Sequence, residues 1–269
     1  MIELFDTDIR EEGRQSSKGN QLKWQKDGVW YKADYTGYEG LAEMIISRLL
    51  AKSSLKADEF VSYDTEQISY HGHIFKGCRS RNFLNEGEQL ITLERLFQNQ
   101  FHESLYRAVY QIPEVQKRAE FLVTETEQLT GIADFGTYLG KMLTIDAFFL
   151  NEDRHTHNIA VILCDDGSYR LCPLFDHGGS LLSDTTLDYP IEGDVYSLID
   201  QVHAKTLSPD FNEQLDATEE LYGGTLSFSF GKDDVRQILD HEPYYPAEVK
   251  KRVGTVIFDS MRRYSYLMK

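Results

Sequence analysis

NEDRHTHNIAVI, residues 151–162, and CPLFDHGGS, residues 172–180, decide the reading of this chain. The first gathers an acid, a base, two histidines and an asparagine directly ahead of an apolar strand. The second follows a further strand and carries another aspartate. IAVILC and YRLCPLF read as two strands around the turn DDGS. A hairpin brings its ends together, so Asp176, eighteen residues after Asn158, is expected close to Asn158. An asparagine oxygen beside a carboxylate makes a hard-oxygen pair suited to Mg2+. Asp153, five residues before Asn158, can accept a hydroxyl proton. Together these are the parts of phosphoryl transfer: metal ions to neutralise phosphate charge and an acid to orient the nucleophile. DxxxxN alone occurs by chance. What gives it weight is its place between an apolar helix and a hairpin, with Asp176 at the far end.

Outward from that stretch, FGTYLGKMLTIDAFFL, residues 135–150, is apolar nearly all round and reads as a buried helix running into the polar loop. ITLERLFQNQFHESLYRAVYQ, residues 91–111, also reads as helical, as do DVYSLIDQVHAK, DDVRQILDH and PAEVKKRVGTVIFDSMRRYSYL nearer the end. The first third differs. QLKWQ and GVWYKAD are short strands around a KDG turn. YEGLAEMIISRLLAKS carries an apolar stripe at helical spacing. EFVSYD, QISYHGHIFKG and CRSRNFL are strand-like. No internal repeat or low-complexity segment is present. The expectation is an α+β chain of two lobes, a β-rich one over residues 1–81 and a helical one over 82–269.

A phosphoryl-transfer reading makes further demands. It needs a strand lysine for nucleotide phosphates and a helical carboxylate to hold that lysine. Lys32 ends the strand VWYKAD, and Glu39 and Glu43 follow at i, i+4 on one face of the next helix, so either could pair with it. The run GRQSSKGNQ, residues 13–21, is the candidate phosphate-covering loop, with Ser16, Ser17 and Lys18, although it matches neither common glycine-rich pattern.

Bulk properties narrow the classes. The 269 residues suit one large domain or two lobes, and the net charge of −16 speaks against a direct nucleic-acid partner. Three cysteines without CxxC spacing fit buried thiols in a reducing compartment. The acidic, polar start MIELFDTDIREEG is unlike a secretory signal, and no apolar run approaches a membrane span. A cytoplasmic protein with no membrane partner is expected.

With these residues in view, NEDRHTHNIAVI followed by CPLFDHGGS resembles the HipA-like serine/threonine kinases, including their short, compact CtkA-type forms. YKADYTGYEGLAEMIISRLL resembles their lysine strand and following helix, and CRSRNFLNEGEQLITLERL the segment joining their lobes. The resemblance covers roughly residues 10–185. It implies a bilobal protein-kinase-like fold, ATP and Mg2+, with ATP between the lobes. Asp153 would be the catalytic aspartate, Asn158 and Asp176 the Mg2+ ligands, and Lys32 the contact to the α- and β-phosphates. Ser16, Ser17 and Lys18 would lie over the phosphates. Backbone groups of Cys78, Arg79, Ser80 and Arg81 would meet adenine, and His155 would order the loop at the nucleotide. Serines of the phosphate loop can be autophosphorylated in that family with loss of activity, and Ser16 and Ser17 are the matching positions. The implied partners are a protein substrate, whose identity the sequence does not reveal, and a helix-turn-helix antitoxin; the implied role is that of a toxin or effector kinase.

Two departures open alternatives. The metal aspartate stands in DHG rather than DFG, and the order DRH replaces HRD. DRHxxN also appears in phosphoinositide-type kinases, so a lipid substrate is one alternative, though no basic membrane-facing patch is evident. The other is a metal-dependent hydrolase using Asp153, His155, His157, Asp176 and His177 for Zn2+ or Mn2+; it leaves Lys32 without a role. A non-catalytic nucleotide-binding module is disfavoured by the complete trio Asp153, Asn158 and Asp176.

Overall fold

The computed structural model describes residues 1–10 and 21–269. They fall into two compact units, one of Met1–Phe83, Phe175–Val202 and Phe228–Lys269, the other of Leu84–Leu174 and His203–Ser227.

The first unit is built on a five-stranded sheet: β1 (Ile2–Glu3), β2 (Lys23–Lys26), β3 (Val29–Ala33), β4 (Tyr63–Tyr70) and β5 (His73–Arg81), in the order β1-β4-β5-β3-β2. The turn expected at KDG joins β2 to β3 through Asp27 and Gly28, both at positive φ, the conformation that suits a two-residue hairpin. The run QISYHGHIFKG is not one strand. It breaks at His71 and Gly72, also both at positive φ, into the β4–β5 hairpin. Trp24, Tyr31, Ala33, Leu4 and Ile68 make one buried cluster of the sheet, and Val61, Tyr63 and Cys78 another. Helix α1 (Glu39–Leu50) follows β3 and is buried along nearly its whole length.

Three later helices belong to this unit: α6 (Val195–Ile199), α8 (Lys232–Asp240) and α9 (Ala247–Arg263). The expectation of a helix throughout DVYSLIDQVHAK is corrected. Asp194 caps its start, but after Ile199 the bonds tighten to i→i−3, Gln201 to Leu198 and Val202 to Ile199, and the helix stops.

The second unit holds α2 (Leu93–Phe101), α3 (Leu105–Gln111), α4 (Val115–Thr130), α5 (Phe135–Phe149) and α7 (Phe211–Tyr222), with a sheet of order β6-β7-β8 (Gln89–Thr92, Ala160–Leu163, Tyr169–Leu171). The hairpin expected at DDGS is β7–β8. The single helix expected over residues 91–111 is three elements. Ile91 and Thr92 end β6, and α2 and α3 are separated by His102 in the left-handed region and by the capping hydroxyl of Ser104. Helix α5 has thirteen buried residues among fifteen, as its all-round apolar sequence demands. The chain is therefore α+β, with its sheet-rich part first and most of its helices after residue 90. No helix of the described residues is long and apolar enough to cross a membrane.

Candidate functional site

Each unit holds one cluster of the residues singled out by sequence. In the first, β3 carries Lys32 opposite Lys23 on one side and Cys78 on the other. Strand alternation buries Tyr31 and Ala33 and sends Lys32 to the other face. The chain then turns into α1. Glu39 secures that turn: its carboxylate accepts from the amides of Thr36 (2.7 Å) and Gly37 (3.2 Å) and from the Thr36 hydroxyl (2.8 Å). One helical turn later Glu43 faces the lysine. Lys32 Nζ donates to Glu43 Oε1 at 3.0 Å and to Asp176 Oδ1 at 2.9 Å. Glu43 Oε2 accepts from the amide of His177 at 2.8 Å. The question left open between Glu39 and Glu43 is answered for Glu43; Glu39 holds the turn ahead of α1.

Burial opposes the charge on Lys32, but the carboxylates of Asp176 and Glu43 outweigh it and hold the lysine pKa well above its ordinary value. Burial pushes Glu43 upward, opposed by Lys32. Asp176 is the more open partner, 32 % exposed against 2 % for the Glu43 side chain, and it adopts a left-handed backbone with φ 65°. Cys78 is buried, and burial lifts its thiol well above the usual range, so it stays neutral.

The second cluster is the loop after α5. The helix ends at Leu150 in the left-handed region. Asp146, inside the apolar helix and fully buried, accepts from Arg154 Nε (2.9 Å), Arg154 Nη2 (3.3 Å) and Asn151 Nδ2 (2.8 Å). Arg154 Nη1 reaches on to the carbonyl of Asn158 at 3.1 Å. Thr156 donates to the buried Glu94 at 2.7 Å. These bonds fix the loop between Asn151 and Asn158. Within it, Asn158 Nδ2 donates to the Asp153 carbonyl at 2.7 Å and faces Asp153 Oδ2 at 3.4 Å. The amide nitrogen of Asn158 is thus turned to Asp153 and its oxygen is the end left to serve as a ligand. His155 Nδ1 accepts from the His157 amide at 3.2 Å, and its Nε2 lies 4.0 Å from Asp153 Oδ1. Burial lowers the His155 pKa, opposed by Asp153.

The structure therefore brings Lys32, Glu43 and Asp176 together in the first unit, and Asp153, His155 and Asn158 in the second. Ser16, Ser17 and Lys18 lie outside the described residues. Cys78, Arg79 and Ser80, expected at adenine, pair with β3 on one side and β4 on the other, whereas Arg81, expected there with them, pairs with Val29 of β3 and with no residue of β4. Among the described residues no group of three or more His, Cys, Asp or Glu is arranged to hold a metal ion. Asp176 and Asn158 do offer hard oxygen donors of the kind Mg2+ takes. Sequence reasoning missed Asp146 and Arg154. The available clue was a lone carboxylate in a helix otherwise apolar on every face, which calls for a buried partner.

No protein-family model matches the chain, and no curated protein matches it. Among solved structures it is similar to the crystal structure of a Helicobacter pylori proinflammatory kinase, CtkA, with a TM-score of 0.59 at 12 % identity, over 97 % of this chain and 94 % of that one. The fold is of the protein-kinase-like kind seen in CtkA.

Proposed function

We propose that the chain is an ATP- and Mg2+-dependent kinase that phosphorylates serine or threonine hydroxyls of a protein. The observation that carries this reading is the triad of a strand lysine, Lys32, bonded to the helical carboxylate Glu43 and to Asp176. The kinase-like fold supports it.

Lys32 binds the α- and β-phosphates, which take the place of the Asp176 oxygen in its present bond, while Glu43 keeps the ammonium aimed. Asp176 and Asn158 hold Mg2+, which when bound neutralises phosphate charge. Asp153 orients the acceptor hydroxyl and takes its proton as the hydroxyl oxygen bonds to the γ-phosphorus. The bond from that phosphorus to the β–γ bridging oxygen breaks, and ADP leaves with the electron pair. Most of the rate enhancement comes from positioning and charge stabilisation.

Ser16 and Ser17 are the first acceptors to examine, with a helix-turn-helix antitoxin as regulatory partner and the cytoplasm as the working compartment. The test is incubation with γ-labelled ATP and Mg2+ of the parent, Asp153→Ala and Lys32→Met. Label in the parent and in neither variant is expected. Equal label in the parent and Asp153→Ala, or none in the parent, overturns the reading. Mass spectrometry of the labelled parent tests Ser16 and Ser17 directly.

A further inference from the structure

One more cation stands at the Asp153 carboxylate, and it comes from outside the loop. Lys205 Nζ lies 4.0 Å from Asp153 Oδ1. That is too long for a hydrogen bond, so the ammonium is near the carboxylate without being spent on it. The side chain is 45 % exposed, but its backbone is bolted down. Tyr110 donates its hydroxyl to the Lys205 carbonyl at 3.3 Å, and the Thr206 hydroxyl donates to the Arg154 carbonyl at 2.8 Å. Arg118 Nη1 donates to the Leu207 carbonyl at 2.6 Å, and the Ala204 amide to the Pro209 carbonyl at 2.9 Å. The segment ahead of α7 is thereby strapped to the loop carrying Asp153.

We propose that Lys205 is a catalytic residue that binds the phosphoryl group during transfer. This rests on the kinase reading. Phosphoryl transfer spreads charge over three equatorial oxygens and needs a positioned cation there. Asp153, taking the acceptor proton, must sit within hydrogen-bond reach of the attacking oxygen. A lysine 4.0 Å from that carboxylate, on a flexible four-carbon stem, reaches the phosphorus bonded to the same oxygen. The loop cannot supply this charge from its own arginine. Arg154 is buried and bonded to Asp146 and to the Asn158 carbonyl. Thr156 is held by Glu94. Lys32 acts on the phosphates that do not move.

The test compares the parent, Lys205→Met and Lys205→Arg, with γ-labelled ATP and with the protein itself and casein as acceptors. Lys205→Met is expected to lower the saturating rate by roughly 10²–10³-fold. The ATP concentration for half-maximal rate should stay within about twofold, as expected when a contact is made only in the transition state. Lys205→Arg should restore part of the rate. Affinity for MgADP should be unchanged in both variants, while affinity for MgADP with aluminium fluoride, a mimic of the phosphoryl in flight, should fall in Lys205→Met by the same factor as the rate. Lys205→Met working at the parental rate overturns the assignment alone. So does a lost rate with undiminished binding of the fluoride complex, which would make Lys205 a tether for Asp153. A parent that transfers no phosphate at all overturns the kinase reading, and this assignment with it.

Discussion

Gly40 of α1 rests directly on Gly77 of β5. A Cβ added to Gly40 would meet the Gly77 carbonyl carbon at 2.4 Å, and one added to Gly77 would meet the Lys32 carbonyl oxygen at 2.0 Å. Gly40 lets the helix approach the strand closely, Gly77 keeps clear of the β3 backbone beside it, and Glu43, three residues after Gly40, reaches Lys32 across this close contact. The close approach and the lysine–carboxylate pair are one feature of packing.

Gly40→Ala should therefore act against its helix propensity. Alanine in a helix is normally better than glycine by ~1 kcal/mol. Here the methyl strikes backbone, which cannot swing away, and overpacking of ~1–3 kcal/mol should win. Chemical denaturation should show a net loss of stability, and nucleotide affinity should weaken as α1 is pushed off Lys32. A variant as stable as the parent with full ATP affinity would show that α1 can shift without cost.

Lys32→Met should abolish transfer and also leave Glu43 buried without its cation. Removing one member of a buried pair costs ~3–5 kcal/mol. Burial raises the Glu43 pKa, and loss of Lys32 should raise it further. A carboxyl whose pKa is higher folded than unfolded gives full stability below its unfolded value and loses it as pH rises through the folded value. The penalty of Lys32→Met should accordingly be small near pH 4 and large at pH 8. Adding Glu43→Gln should flatten that slope, which unfolding curves across the range will show.

Much of this was legible in sequence, and the rest was hidden for a physical reason. The β2–β3 hairpin, α1 and the burial of α5 follow from local turn chemistry and apolar periodicity. The His71–Gly72 turn was equally local and went unread because it sits inside a continuous strand-like run. Long-range pairing is different. That α8 and α9, more than 140 residues beyond β5 in sequence, belong to the same unit as the first sheet has no local signature. Nor does the strapping of Lys205 to the Asp153 loop, which depends on Thr206 finding the Arg154 carbonyl 52 residues away. The central place of Cys78–Ser80 in the sheet was hidden too, because a strand with neighbours on both sides reads the same, residue by residue, as one with an open edge.

The Asp146–Arg154 pair separates loop geometry from stability. Both side chains are buried, 1 % and 2 % exposed. Arg154→Met should cost ~3–5 kcal/mol by leaving Asp146 uncompensated, whereas Asp146→Leu with Arg154→Met should recover most of that, since a buried ion pair replaced by apolar side chains is often neutral. The double variant should still lose phosphate transfer, because Arg154 also holds the Asn158 carbonyl. Urea midpoints set beside label incorporation will test this. Transfer at the parental rate in the stable double variant would mean that the pair serves stability alone.

Asp34 should make stability fall as pH rises. It lies two residues after Lys32, accepts from the Gly40 amide at 2.7 Å through Oδ1, and from the Tyr245 hydroxyl at 2.7 Å through Oδ2. Burial raises its pKa to about 7, with Glu39 adding to the rise, and Tyr245, Gly40 and Lys76 opposing it. Between the unfolded carboxyl value of 3.8 and about 7, the folded state holds a proton that the unfolded state has lost. Stability from this group is thus complete below the lower value and drains away as pH climbs through the upper one. Asp34→Asn keeps the shape and the acceptor for Gly40, and removes the titration. Each tenfold change in proton affinity is worth about 1.4 kcal/mol. Asp34 is half-buried, and solvent screening reduces the effect, so the variant should gain about 2 kcal/mol on the parent between pH 4 and pH 8. Urea unfolding of the two proteins at both pH values measures that difference, and parallel stability curves would show that Asp34 is ionised throughout.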